Sequence, residues 1–131
     1  MVALTYALAL AFAGHAYGQT DEQVAARLTP MVHTCENSPG NGGTFEQALC
    51  YKDEAVRQDQ RLNKTWTHVI SKISRGRRKV LRQDERQWIK DRDDDCHDEA
   101  AGYINSTAAY MFNVCMANET IHRTMWLEGI R

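Results

Sequence analysis

The segment Leu81–Cys96 constrains the fold of this chain more than any other part of the sequence. Nothing in it matches a catalytic motif, and a cysteine closes it. The positions that we expect to face inward recur at three- and four-residue steps, the spacing of one side of an α-helix. They are Leu81, Glu85, Trp88, Ile89, Arg92 and Cys96. The segment therefore predicts a disulfide-tied helical scaffold that presents charge.

An apolar segment without Asp, Glu, Lys or Arg occupies residues 1–18. Ala16 and Gly18 place small residues just before a cleavage at Gln19, so we interpret residues 1–18 as a secretory signal peptide. Its basic N-terminal region is missing, which indicates either a start codon assigned too late or a weak signal. The apolar run is short for a membrane span. We expect a periplasmic or secreted protein with no stable membrane insertion.

All four cysteines follow the predicted signal peptide, at Cys35, Cys50, Cys96 and Cys115. An even count behind an export signal predicts two disulfides in an oxidising compartment. A zinc site is the alternative, but it would need closely paired ligands, and no C-x-x-C spacing occurs. Three pairings of the cysteines are possible, and the local Cys35–Cys50 bridge is the one that we favour least.

The mature chain predicts an all-α fold with no strand. Residues 19–43 are expected to form a short helix, which Pro30 ends, and a flexible loop. Residues 44–131 are expected to form the main domain, an antiparallel hairpin of two helices with a third helix packed across it. The predicted helices cover residues 45–74, 79–98 and about 105–128. Residues 75–77 separate the first helix from the second.

The inward side of each long helix follows from the same periodicity. In the first helix it comprises Leu49, Ala55 or Val56, Asp59, Leu62, Asn63, Trp66, Val69, Ile70 and Ile73. In the third it comprises Met111, Val114, Cys115, Asn118, Ile121, His122 and Met125. Trp126, near the C-terminus, is the tryptophan that we expect to be most exposed.

The register of the hairpin predicts one ion pair. If the turn centres near Gly76, antiparallel partners have numbers that sum to about twice that value, so Asp59 faces the neighbourhood of Arg92. We predict a partly buried structural pair in which the guanidinium matches both carboxylate oxygens. Such a pair specifies register more than it adds stability.

Three segments carry a resemblance to a known family. They are Asp59-x-x-Leu62-Asn63, then Leu81-Arg82-x-x-x-Arg86-x-Trp88-Ile89-x-x-Arg92-Asp93-x-x-Cys96, then Cys115-Met116-x-x-x-Thr120-x-x-Arg123-x-x-x-Leu127. Together they resemble the LprI-type lysozyme inhibitor family of small exported bacterial proteins, over Cys35 to Leu127. The resemblance implies an all-helical, disulfide-bridged exported protein. No inhibitory loop is carried over by position.

Charge is the best functional clue that the residues offer by themselves. A basic cluster gathers at the predicted hairpin tip: Lys72, Arg75, Arg77, Arg78, Lys79 and Arg82. An acidic cluster lies roughly 20–25 Å away at the far end of the second helix. We expect its residues Asp91, Asp94, Asp95, Asp98 and Glu99 to bind a cationic protein such as lysozyme. The alternative is an ordinary solvated charged surface.

Other function classes find little support in the sequence. The formal net charge of −1 argues against nucleic acid as the main partner. We expect no metal and no cofactor, because Asp93, Asp94 and Asp95 point in different directions around a helix. There is no H-E-x-x-H motif and no nucleophile elbow, so we expect no enzyme. The predicted function is inhibition of a lysozyme-type cell-wall hydrolase, the alternative being an envelope interaction or immunity-like module without such inhibition.

Overall fold

A computed structural model describes residues 19–130, so the predicted signal peptide lies outside the described residues. The described part contains five helices and no strand: α1 (Asp21–Ala25), α2 (Pro30–Glu36), α3 (Thr44–Lys72), α4 (Arg75–Ala100) and α5 (Asn105–Glu128). The predicted all-α, disulfide-tied hairpin with a third packed helix is confirmed. Within residues 19–130, no helix has the length and apolar character that crossing a membrane requires.

The three long helices run down, up and down. α3 and α4 are joined by Ile73 and Ser74 alone, and the Ser74 hydroxyl caps α4 by accepting a hydrogen bond from the Arg77 amide. The break therefore lies two residues before the predicted one, because Ile73 is buried and the chain must turn there. Gly76 instead lies in the first turn of α4.

Helix α5 packs against both arms of the hairpin and lies closest to α3. The two run in the same direction: Asn113, near the start of α5, donates a hydrogen bond to the carbonyl of Ala48, near the start of α3 (2.9 Å). At the other end, Leu127 packs with Leu62 and Val69. The orientation follows from chain order, because a third helix after a short loop reverses direction once more.

The predicted inward stripe of α5 is only partly right. Cys115 and Ile121 are buried, but Met111, Val114, Asn118, His122 and Met125 are half-buried. The buried positions of α5 also include smaller residues that the pattern did not indicate, Ala117, Thr120 and Thr124. Small side chains let a neighbouring helix approach closely, and a helix packed against two others is covered on more than one side.

The hydrophobic core lies at the hairpin-tip end of the bundle. Its buried members come from all three long helices: Leu62, Val69, Ile73, Leu81 and Leu127. Trp66, Trp88 and Trp126 are half-buried and pack against this cluster. Trp126, which we expected to be the most exposed of the three, is half-buried like the other two because it packs against the core.

The disulfides are Cys35–Cys50 and Cys96–Cys115. The preference against the local Cys35–Cys50 bridge was wrong, because Pro30 does not simply end a helix. It occupies the first turn of α2, where a missing amide hydrogen is tolerated. α2 then packs on the first half of α3 and brings the two cysteines together, with Cα atoms 5.7 Å apart.

A buried carboxylate fastens the start of α2 to α3. The Glu54 side chain is fully buried and accepts hydrogen bonds from the Thr29 amide (2.8 Å) and hydroxyl, from Gln58 Nε2 (2.7 Å) and from Arg57 Nε (2.8 Å). Burial alone would raise the pKa of Glu54, but these hydrogen bonds outweigh it and lower the pKa below its ordinary value. Glu54 is therefore a charged structural group.

Candidate partner-binding site

The predicted acidic cluster of α4 lies in its last three turns, around Cys96 of the Cys96–Cys115 disulfide. Asp91, Asp94, Asp95, Asp98 and Glu99 are all exposed. Their three- and four-residue spacing places them on one side of the helix. The structure thus gathers the predicted partner-binding residues on one exposed surface, which we call the acidic face.

Most of the acidic face carries negative charge that no nearby cation neutralises. Asp94 pairs with Lys90 Nζ, and Asp91 accepts a hydrogen bond from Gln87 Nε2 (2.7 Å). Asp95, Asp98 and Glu99 have no ion pair or side-chain hydrogen bond to any residue in the described part of the chain. The negative charge of these three carboxylates is therefore not neutralised within the described residues.

The charged residues at the two ends of α4 oppose the helix dipole. A helix favours acidic residues in its first turn and basic residues in its last. α4 has no acidic residue in its first turn, which contains Arg75, Arg77 and Arg78, while Asp98 and Glu99 lie in its last turn. Like charges four residues apart, such as Asp95 and Glu99, also repel each other. Helix stability therefore does not explain this arrangement.

Arg92 anchors the acidic face to the rest of the bundle. Its side chain is largely buried, lies over the Trp88 ring (5.0 Å to the centroid) and donates a hydrogen bond to the Thr120 hydroxyl of α5 (3.2 Å). Its closest carboxylate is that of Asp93, at 2.8 Å. Asp59 lies within ion-pair distance, with its Oδ1 atom 3.6 Å from Arg92 Nη1. Only this one contact joins the pair, and the fork does not match both oxygens of Asp59.

An exposed apolar stripe lies on α3. Phe45, Leu49 and Val56 share one side of the helix and are exposed by 61%, 46% and 52%. The Asp59–Arg92 contact fixes the antiparallel register, which places Val56 of α3 at the level of Asp95 of α4. We call these three residues the apolar stripe.

The prediction that Leu49 faces inward is therefore wrong, and so is that for Ile89 of α4, which is exposed. Of the alternatives Ala55 and Val56, Ala55 is half-buried and Val56 is exposed. Leu62 and Val69 are buried as predicted, and Ala48 and Cys50 are buried as well. Periodicity shows more than one apolar stripe on this helix, and only the position of the neighbouring helices decides which one is covered. The signal available in the sequence was the presence of two apolar stripes on one helix.

The sequence pattern also did not indicate the structural role of a second arginine, which holds two helices together. Arg123 of α5 is buried, pairs with Asp84 and Glu85 of α4, and lies over the rings of Trp88 (5.3 Å) and Trp126 (4.1 Å). Burial raises the pKa of Glu85 in spite of the opposing effect of Arg123. This cluster fastens α4 to α5 on the inside of the bundle and does not face a partner.

The described residues offer no convergent metal site. Across residues 19–130, no three His, Cys, Asp or Glu side chains come together in a way that could hold an ion. His97, in the middle of the acidic cluster, packs on the Phe112 ring of α5, with the centroids 4.7 Å apart. The acidic residues spread along a helix surface, which suits a protein partner better than a single ion.

One comparison with known proteins gives a match. The family model described as lysozyme inhibitor LprI matches residues 35–127. This range contains all four cysteines, the acidic face and the apolar stripe. No curated protein and no solved structure matches the chain.

Proposed function

Because the chain belongs to the LprI lysozyme inhibitor family, we propose that it is an exported protein that binds a lysozyme-type cell-wall hydrolase and blocks it. Its two disulfides support export, because such bonds persist in oxidising compartments. The family supplies the class of target, and the residues of this chain suggest how the target is held.

The observation that carries the proposal is the pairing of unneutralised carboxylates with exposed apolar side chains. Asp95 and Glu99 are exposed on α4, Leu49 and Val56 are exposed on α3, and the register places Val56 at the level of Asp95. Stable protein interfaces combine an apolar centre with a polar rim, and most of the binding energy comes from a few central side chains. In the interface that we propose, the apolar stripe is the centre and the acidic face is the rim.

Each part of the surface has a distinct task. The carboxylates attract a cationic enzyme and orient it, which raises the association rate. The apolar stripe then loses contact with water and slows dissociation. The hydrolase is blocked because the helical surface covers the cleft, and no group of this chain needs to react.

Rigidity adds to the fit. The Cys96–Cys115 bridge holds the acidic end of α4 on α5, and Arg92 holds the preceding turn. A surface that is already ordered loses little conformational entropy on binding. The disulfide and the Arg92 contacts therefore favour affinity without contacting the partner.

An inhibition assay against a panel of lysozymes tests the proposal. The wild-type protein should slow cell-wall hydrolysis in a saturable, stoichiometric way with at least one cationic lysozyme. The variant Asp95→Lys/Asp98→Lys should inhibit less, whereas Asp21→Lys/Glu22→Lys, which changes the net charge equally in α1, should inhibit like the wild type. Undiminished hydrolysis by every lysozyme at excess protein would refute the proposal. A stable envelope partner of another kind in pull-downs would then support the interaction-module alternative.

A further inference from the structure

The first three turns of α4 carry a row of five cations. Arg75, Arg78, Lys79, Arg82 and Arg86 follow one another along the helix and line a shallow depression of about 400 Å³. Arg78 is half-buried and the other four are exposed. From the first to the last the row extends roughly 16 Å along the helix axis. We call it the basic row.

No carboxylate neutralises the basic row. None of its five residues has an ion pair with another residue in the described range, and Arg78 Nε donates to the carbonyl of Ile73 instead (3.0 Å). The nearest acidic residues along the helix, Asp84 and Glu85, are already paired with Arg123. The positive charge of the row is therefore available to a ligand.

Helix stability does not account for the basic row either. Cations in the first turn of a helix oppose its dipole. Three pairs of like charge lie four residues apart and repel each other across one helical turn: Arg75 with Lys79, Arg78 with Arg82, and Arg82 with Arg86. Only an external anion would turn this arrangement into a favourable one.

From this geometry we propose that the basic row binds a linear polymer that bears phosphate groups. Four of the five cations are arginines, whose planar guanidinium groups match phosphate oxygens with two parallel hydrogen bonds. The cations follow one another along a depression, so successive groups of one extended chain can be held in turn. Isolated phosphate would use only part of the row and should bind much more weakly.

A membrane surface fits the row less well. A helix that lies on a bilayer combines its basic side with a broad apolar side that enters the lipid. In the first half of α4 the exposed large hydrophobic residue is Val80, while Leu81 is buried in the bundle core. The basic row therefore lacks the apolar partner surface that membrane binding would use.

The basic row and the acidic face can be occupied at the same time. Their centres lie roughly 20–25 Å apart along α4. A protein held on an anionic polymer by one end would still present its other end to a hydrolase. Polymer binding does not depend on the proposed inhibition, because the row and its ligand are defined without it.

Fluorescence anisotropy with labelled long-chain inorganic polyphosphate tests this inference. The wild-type protein should bind the polymer, and binding should weaken steeply as salt is added, because ions compete for the row. The variant Arg75→Gln/Lys79→Gln/Arg82→Gln/Arg86→Gln should lose about tenfold or more in affinity. Arg78 is left intact, since its bond to Ile73 is structural.

A matched variant distinguishes the effect of the basic row on affinity from the effect of net charge alone. Lys52→Gln/Arg61→Gln/Lys64→Gln/Lys90→Gln removes as many cations from other exposed positions and should keep most of the affinity. Circular dichroism checks that both variants are folded, and in the wild-type protein amide shifts on adding polyphosphate should concentrate in residues 75–86. Equal loss in both variants, shifts spread over the whole surface, or equal binding to anionic phospholipid vesicles at the same phosphate concentration would overturn the inference. Unchanged lysozyme inhibition by the row variant would keep this result separate from the proposed function.

Discussion

The Nη1 atom of Arg92 lies 3.6 Å from the Oδ1 atom of Asp59, and this contact links two helices that pack chiefly against a third. Asp59 is 53% exposed at its side chain, whereas the Arg92 side chain is 9% exposed. The two partners therefore differ in what they contribute. Arg92 also binds Asp93 and Thr120 and covers the Trp88 ring, so it is the centre of the cluster and Asp59 is one of its neighbours.

Removing the two partners of this pair should have unequal effects. Asp59→Ala should lower the free energy of unfolding by less than about 1 kcal/mol, because a solvent-exposed ion pair contributes little. Arg92→Ala should lower it by about 2–4 kcal/mol, because a largely buried cation is lost together with its hydrogen bonds and ring contact. Urea unfolding measures both, with the exposed Lys90→Ala nearby on α4 as the control. Equal losses for Asp59→Ala and Arg92→Ala would contradict this account.

Glu54 should make stability depend on pH in the acid range. Its pKa is held below the ordinary value of 4.5, so the stability that it contributes is fully present above that value. This stability is lost as the pH falls through the lowered pKa of the folded state. Glu54→Gln should therefore destabilise the protein by about 2–3 kcal/mol near neutral pH and by less in acid.

Urea unfolding of the wild-type protein and of Glu54→Gln at about pH 7 and about pH 3 measures this difference. The exposed Glu22→Gln is the matched control and should track the wild type at both values. A constant gap between the wild type and Glu54→Gln at the two pH values would show that the Glu54 charge has no part in holding α2 to α3.

Much of this fold follows from periodicity, because three long helices leave a repeating signal that a single sequence displays. The Asp59 and Arg92 positions follow in the same way, since a short turn fixes the register of a hairpin. Periodicity does not show which side of a helix is covered by a neighbouring helix. The exposure of Leu49 and Val56 depends on which side of α3 meets α5, and no local pattern encodes that choice.

The same reason explains the cysteine pairing. Cys35 reaches Cys50 only because Pro30 opens α2, and α2 packs on α3. The exposure of the acidic face, by contrast, could be predicted residue by residue, because charged residues crowded at the end of a helix remain in water wherever the helix packs. The exposure of the apolar stripe could not, because burial is a property of the whole bundle.

The two disulfides should contribute similarly to stability but differently to binding. They close loops of similar size, with sequence separations of 15 and 19, so each should add about 2–4 kcal/mol to the free energy of unfolding. Cys96→Ala/Cys115→Ala loosens the acidic end of α4 and should weaken inhibition, whereas Cys35→Ala/Cys50→Ala frees α2 and should not. Thermal unfolding and the inhibition assay, run on both variants, measure the two effects. Equal weakening of inhibition by both would mean that global stability is what matters.

The apolar stripe and the acidic face should affect different rate constants. If the proposed hydrolase contacts both, Leu49→Ala/Val56→Ala should raise the dissociation rate about tenfold, because two central apolar side chains are lost from the interface. Asp95→Lys/Asp98→Lys should mainly lower the association rate, and added salt should reduce the difference from the wild type, because salt screens the attraction. Surface plasmon resonance with a lysozyme that the protein inhibits separates the two constants.

Val80→Ala is the matched apolar control for that experiment, since Val80 is 69% exposed but lies at the other end of α4 beside the basic row. It should change neither rate constant. If Val80→Ala weakens binding as much as Leu49→Ala/Val56→Ala does, the hydrolase does not rest on the apolar stripe. If the charge variant alone weakens binding, the carboxylates hold the partner without an apolar centre, and the division between rim and centre is wrong. Only the paired outcome, a faster dissociation in one variant and a slower association in the other, fits a surface built from both helices.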